Sequence, residues 1–527
     1  MGAPRLSLTL GLLLAAGIVG SVVSVSVARA SDAQPGQTLY AQHCAACHGA
    51  ARLGLTGPAL LPENLQRLRR TAALQVIAEG RMATQMPGFG AKLSADEIRV
   101  LADYITTPPA KRPRWDTAEI RASRVVHPAA KPDAERPVHA ADPMNLFVVV
   151  ETGDHHATIL DGDRLEPVTR FATRYALHGG PKFSPDGRFV YFGSRDGWVS
   201  KYDLYNLRMV SEVRAGINMR NIAVSSDGRF VMAANSLPHT LVVLDAATLA
   251  PLKVIAVRDR HGKTSRVSAV YDAAPRGSFV AALKDVKEIW EIPYSDKAEP
   301  VYKGLVHDYR SKEGLAETGP FPVRVIQVDD YLDDFFFDLG YANIVGAARE
   351  AKRGQVVNLN VKRAIESIDL PGLPHLGSGI TWLWQGRRVL ATPNLKAPMV
   401  SVIDTQNWKV IKEIKTPGPG FFLRSHENTP YAWTDSFNSP RRDTLTVIDK
   451  RSLEVVAHLR PAPGKTVAHI EFTADGRYAL ASIWEMDGAL VVYDAATLKE
   501  VKRLPMKKPS GKYNVHNKIT RSEGTSH

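Results

Sequence analysis

Only two of the 527 residues are cysteine, and both fall within the pentapeptide Cys44-Ala45-Ala46-Cys47-His48. A chain with its thiols spent on one motif has no structural disulfide network to expect. No basic run and no recognition module accompanies the formal charge of +13, so nothing favours nucleic acid as a partner. Charged residues at 23% and apolar residues at 44% exclude wholesale disorder. Apart from the N-terminus, no apolar run reaches the roughly 20 residues that span a bilayer.

That N-terminus has a charge at Arg5, an apolar stretch from Leu8 to about Val27, and Ala28-Arg29-Ala30 before Ser31. The order is that of a secretory signal peptide over residues 1–30, expected to be cleaved near Ala30, with an uncleaved membrane anchor as the alternative because the apolar run approaches the roughly 20 residues that span a bilayer. The expected location is the periplasm, with no stable membrane insertion after cleavage. Loss of Arg5 and Arg29 leaves 65 Lys+Arg against 54 Asp+Glu, an excess that favours partners rich in carboxylates.

From residue 31 to 107 the pattern is helical: a first helix over Thr38 to Cys47, and a last one opened by the capping box Ser94-Ala95-Asp96-Glu97 and running through Tyr104. Cys-x-x-Cys-His supplies two thiols for thioether bonds to haem vinyl groups and a histidine within reach of the iron. Cys44 and Cys47 are therefore the expected covalent attachment points of one haem c, and His48 its proximal ligand. Met86-Pro87-Gly88 resembles the Met-Pro loop of small class I cytochromes c, so Met86 is the expected second ligand and Met82 the alternative. His43 reads as a solvated neighbour.

Seven prolines between Pro108 and Pro143 mark residues 108–142 as an irregular linker, expected to lie across the second domain's surface. Residues 143–527 then repeat one unit. Asp-Gly-Arg-aromatic turns recur at Asp186, Asp227 and Asp475. Closing aspartates stand at Asp161, Asp203, Asp245, Asp404, Asp449 and Asp494, spaced 42, 42, 159, 45 and 45 apart. The long gap holds two weaker units, around Tyr294 and Asn360. A period of about 40–45 residues with four strands each indicates propeller blades. The expected fold is a small all-α class I cytochrome c domain followed by an all-β eight-bladed propeller, with seven blades as the alternative count.

Several segments carry a more specific likeness: Arg174-Tyr175-Ala176-Leu177-His178, Ser194-Arg195-Asp196, Ile217-Asn218-Met219-Arg220, Pro374-His375, Ser425-His426, Trp433-Thr434-Asp435-Ser436-Phe437-Asn438, Ser482-Ile483-Trp484 and Pro509-Ser510-Gly511-Lys512-Tyr513. With the order of the domains, these make the chain resemble cytochrome cd1 nitrite reductase and its relatives in haem d1 maturation. The resemblance implies a propeller that holds a d1-type tetrapyrrole, with His178 on its iron and Arg195 and Arg220 on its carboxylates. It also implies ring contacts from His426, Trp484, Ser510 and Gly511.

The chain departs from the reductase pattern where two distal histidines are expected: the matching positions are Lys284 and Phe337. A phenylalanine cannot donate a proton, so efficient nitrite reduction is not expected. By the same resemblance, His469 stands where the reductase has a glutamine near the d1 side chains and Tyr513 where it has a phenylalanine, which would put both near the edge of the macrocycle. The pattern implies a maturation enzyme that oxidises a propionate of dihydro-haem d1 to the acrylate of haem d1. His469 is the expected base or proton relay, Tyr513 and His375 assist, and electrons leave through haem c to a soluble acceptor. Expected partners are cytochrome cd1 nitrite reductase or another d1 maturation protein. Nitrite reduction with rearranged chemistry and non-enzymatic d1 carriage are the alternatives.

Overall fold

The computed structural model describes residues 35–525 except 66–67, 69, 82–84, 112, 130–132, 304–314, 318, 348–352 and 522. The expected signal peptide and Met82 thus lie outside the described residues. Among the described residues, no helix is long and apolar enough to cross a membrane.

The N-terminal domain is helical, with segments at Pro35–His43, Ala45–His48, Pro62–Leu65, Arg70–Glu79 and Ala95–Thr106. The expected single first helix is in fact two, broken at Cys44. The capping box opens the last helix: Ser94 Oγ accepts from the Glu97 amide and Glu97 Oε2 accepts from the Ser94 amide at 2.8 Å. That helix turns Ile98, Leu101 and Ile105 onto Tyr40, Ile77 and Leu93, which form the small core under the haem motif.

Residues 146–514 form eight sheets of four principal strands, so the eight-blade count holds over the seven-blade alternative. The first blade closes the ring: the C-terminal strand Pro509–Asn514 pairs antiparallel with Leu146–Glu151, with Val148 opposite Tyr513. Joining first and last strands in one sheet ties off the circle and leaves no open seam in it. The blades expected around Tyr294 and Asn360 are the fourth and fifth. The fourth carries an extra ribbon, Tyr302–Lys303 with Leu315–Ala316, inserted before its outer strand Arg324–Gln327, which helps to account for the long gap in the repeat.

The repeat has a local physical basis. Each closing aspartate accepts amides of the next turn, as Asp203 Oδ1 does from Tyr205 and Asn206 and Asp494 Oδ1 from Ala496 and Thr497. Four residues on, the chain is left-handed at Leu165, Leu207, Leu249, Trp408, Leu453 and Leu498. In the Asp-Gly-Arg turns, Ser184, Ser225 and Thr473 each donate a hydroxyl to the turn aspartate.

The linker is more ordered than expected. Asp116 and Glu119 form a capping box for a helix at Thr117–Ala122, and Val125–Val126 adds a fifth strand to the second blade. Elements this short carry no readable period. Its expected course across the propeller is found: Arg208 pairs with Asp133, and Ile120 is fully buried against the second and third blades.

Candidate functional site

A cavity of about 280 Å³ lies at the end of the propeller channel where the innermost strands begin. At the other ends of those strands is a second cavity, about 610 Å³, bordered by Lys518, Ile519 and Arg521 of the C-terminal segment. The first cavity gathers the expected His178, Arg220, His375, His469, Trp484, Ser510, Gly511 and Tyr513.

His178 precedes the first strand of the second blade. Its Nδ1 lies 2.8 Å from the Arg220 carbonyl, which can only accept, so Nδ1 carries the proton. The Nε2 lone pair faces Arg195 Nη2 at 2.8 Å and Arg220 Nη1 at 3.4 Å. Burial and these two guanidinium groups hold the imidazole well below its ordinary pKa. A neutral ring with one nitrogen anchored to a carbonyl is the arrangement that metal-ligating histidines use. The residues present therefore fit a tetrapyrrole iron at Nε2 and carboxylates at the arginines. Arg195 reaches the site through His178 and is not itself part of the cavity wall.

His469 sits across the channel in the eighth blade. A bulge interrupts the pairing between Ala468 and Ile470, and His469 occupies it with φ +54°. Its side chain is 1% exposed, neither ring nitrogen has a hydrogen-bond partner, and its ring centroid lies 4.6 Å from Phe422 and 5.0 Å from Tyr513. Burial, then Lys512, Arg424 and Lys518, keep it well below the ordinary histidine range. A buried imidazole with no internal partner is costly unless something else uses it.

His375 gives its Nδ1 to the Phe421 carbonyl at 2.5 Å and packs on the Phe421 ring, and burial lowers its pKa. Tyr513 has its phenol pushed up to about 12 by burial, so it remains a proton-bearing donor. Two glycines make room for that ring: a Cβ at Gly180 would meet it at 2.9 Å, and one at Gly511 would meet Oη at 2.6 Å. Gly511 thus serves the cavity by its absence of a side chain. Trp484 Nε1 donates to Thr152 Oγ1 at 3.3 Å.

Three expectations are corrected. His426 is buried beneath Gly476, with Nδ1 accepting from the Asn428 amide, and is not part of the cavity lining. It follows the strand Leu423–Arg424, which has already run down the channel; Arg424, two residues earlier, lines the cavity instead. Phe337 does not face this cavity. The strand Asp334–Phe337 has Asp334 at the cavity and Phe337 at its far end, in the core beside Phe335 and Tyr341. Lys284 pairs with Asp333 at 3.4 Å and is also absent from the lining.

Sequence reasoning missed Arg424, Tyr271, Asp334 and Thr152. Tyr271 Oη donates to Asp334 Oδ1 at 2.8 Å on the cavity wall. Nothing in their local sequence sets these residues apart from other strand positions.

In the helical domain, Cys44 and Cys47 are unpaired thiols, and His48 is 6% exposed. His48 Nδ1 lies 2.7 Å from the Pro58 carbonyl, which can only accept, so Nδ1 carries the proton and the lone pair is on Nε2. These residues fit covalent haem with His48 on the iron. The domain docks above the cavity at two places. Ala59 and Leu61 pack on Ile217, where Arg214 Nη2 also donates to the Leu53 carbonyl at 2.7 Å. Gln85, next to Met86, donates Nε2 to the carbonyls of Thr152 and, at 3.3 Å, Gly153. Thr152 lines the cavity, so the loop of the expected methionine ligand touches its rim.

Comparison with known proteins agrees with this architecture. The model of the cytochrome D1 heme domain matches residues 141–518, and that of the cbb3-type cytochrome c oxidase subunit III matches residues 31–105. The dihydro-heme d1 dehydrogenase of Pseudomonas aeruginosa is 55% identical over 523 residues, 99% of each chain. The chain belongs to the dihydro-heme d1 dehydrogenase family. A solved structure of a family member, dihydro-heme d1 dehydrogenase NirN in complex with DHE, superposes with a TM-score of 0.81 over 92% of this chain and 100% of that one. The nitrite reductase of Stutzerimonas stutzeri is more distant, 25% identical over 96% of this chain and 97% of its own. Membership places this oxidoreductase with its cytochrome c and d1 haem domains in haem d1 biosynthesis.

Proposed function

We propose that this protein oxidises a propionate side chain of dihydro-haem d1 to an acrylate, with His469 as the base. The observation that carries the reading is the pair of unpartnered, uncharged nitrogens of His469, buried in the cavity across from His178. Converting a CH–CH unit to C=C releases two protons and two electrons. A histidine held below its ordinary pKa stands neutral near pH 7, the form in which a base must wait for its proton. Nitrite reduction needs delivered protons, and His375 and His469 are both shifted the wrong way for that role.

His178 Nε2, whose lone pair meets Arg195 and Arg220 at 2.8 and 3.4 Å, would turn that lone pair to the substrate iron, and Arg220, on the cavity wall, would then meet a carboxylate. Tyr513 and His375 orient the reacting arm. Haem c would be held by Cys44, Cys47, His48 and Met86 and would supply a one-electron sink, from which a soluble acceptor in the periplasm would take electrons onward. Two successive one-electron transfers balance each turnover. Carriage of d1 alone leaves the docked cytochrome domain without a use.

The test is a spectral titration. Protein with covalent haem c is mixed with dihydro-haem d1 and an oxidant, and the spectrum is expected to change to that of haem d1. Bound substrate that never converts would overturn the proposal. Nitric oxide formed from nitrite by the d1-loaded, reduced protein would point to the reductase instead.

A further inference from the structure

The peptide that carries His469 is flanked on both sides by buried ionisable side chains from two other elements. On the carbonyl side, Lys512 Nζ donates to the His469 oxygen and, at 2.8 Å, to Ser482 Oγ. Lys512 is 0% exposed and lies on the ring-closing strand, between Gly511 and Tyr513. Neighbouring residues on a strand point to opposite faces. Tyr513 and Gly511 therefore face the cavity while Lys512 turns toward the bulge. On the amide side stands the Asp435 carboxylate, whose charged form the His469 amide favours and which accepts from the amides of Phe421 at 2.7 Å, Phe422 at 3.2 Å and Phe437 at 3.3 Å. Asp435 is likewise 0% exposed.

Burying a lysine and an aspartate this completely is expensive unless both are used. The closing strand holds the carbonyl, Asp435 of the seventh blade flanks the amide, and between them a non-glycine residue stays at φ +54°. A left-handed histidine is uncommon and persists where its surroundings over-determine it. In regular pairing the alternation of the strand would run on through residue 469; the bulge is what breaks it and leaves the imidazole in the cavity.

We infer that Lys512 and Asp435 are positioning residues for the reaction, gripping the His469 peptide from opposite sides so that the imidazole is fixed toward the substrate arm. The inference rests on the reading of His469 as the base. Lys512 touches no substrate atom under this inference. It acts through His469, so its loss lowers turnover and leaves tetrapyrrole affinity intact.

The experiment uses the full-length protein carrying covalent haem c. Lys512→Met keeps the length of the side chain and removes both donated bonds. The expected result is a fall in kcat of at least about tenfold, since misplacing a reacting group by 1 Å costs up to about a hundredfold. KM and the dissociation constant for dihydro-haem d1 stay within about twofold. Without substrate, amide hydrogen exchange across residues 467–472 speeds up. In a His469→Ala background the Lys512→Met change adds no further loss, because the two act as one unit. If Lys512→Met does not fold, Asp435→Asn is judged by the same four readings.

A folded Lys512→Met protein with wild-type kcat would overturn the inference, as would losses that simply multiply in the double variant. Failure of the parent reading looks different: there, His469→Ala by itself turns over normally.

Discussion

Replacing His469 by alanine removes the proposed base while disturbing little else. General-base catalysis contributes about 10²–10⁴-fold, and each tenfold is about 1.4 kcal/mol, so the expected loss in kcat corresponds to about 3–5 kcal/mol of transition-state stabilisation. Ground-state binding depends on the ring only through its contacts with Phe422 and Tyr513 and whatever it offers the substrate. Aromatic contacts are worth about 0.5–1.5 kcal/mol, so affinity should fall by no more than about tenfold. The fold should tolerate the change. Both ring nitrogens are buried without partners, and removing an unsatisfied polar group offsets part of the cost of the cavity left behind. The assay is a single turnover in which haem c reduction and the rise of the haem d1 spectrum are followed together. A well-folded variant, saturated with substrate and turning over at the wild-type rate, would refute the assignment.

His178→Ala should weaken dihydro-haem d1 binding by at least about tenfold, read by spectral titration, because loss of an oriented ligand costs about 10–100-fold in affinity for the metal it holds. Cys44→Ser should abolish stable haem attachment and turnover while the propeller still binds the tetrapyrrole, checked by haem staining and titration; full activity in that variant would remove the cytochrome from the reaction. Gln85→Leu should slow haem c reduction by substrate without changing substrate affinity, since Gln85 ties the Met86 loop to Thr152 at the cavity rim. Rapid-mixing spectroscopy showing wild-type transfer would dismiss that contact. Stability should fall with acid. His178 and His469 are neutral when folded, their pKa values depressed below 6.5, whereas the unfolded chain protonates them below about that pH. Their contribution is therefore full above pH 6.5 and is lost at about 1.4 kcal/mol per pH unit per imidazole as pH decreases, measurable by denaturant unfolding between pH 7.5 and 5.5.

Much of this was legible before any coordinates. The Cys44–His48 motif, the Ser94 capping box and the spaced aspartates are local devices whose physics is complete within a few residues, and the structure shows the capping box and the aspartates in use. The linker helix was missed because its capping box at Asp116 serves only six residues, too few for a period. Phe337 and Lys284 were misplaced because correspondence along a chain does not say which end of a strand faces the channel; Asp334, three residues earlier, does. His426 failed for the same reason, with Arg424 in its place.

By itself, the sequence determined the covalent haem motif, the helical and propeller domains, the blade number and most of the residues that meet in the cavity, because periodicity and turn chemistry are written locally. Only the tertiary structure decided that His469 sits in a left-handed bulge with Lys512 on its carbonyl and Asp435 beside its amide, and that Gln85 meets Thr152. Those contacts join residues from different blades and domains, and it takes the closing of the ring, the packing of neighbouring blades and the docking of the helical domain to bring them together.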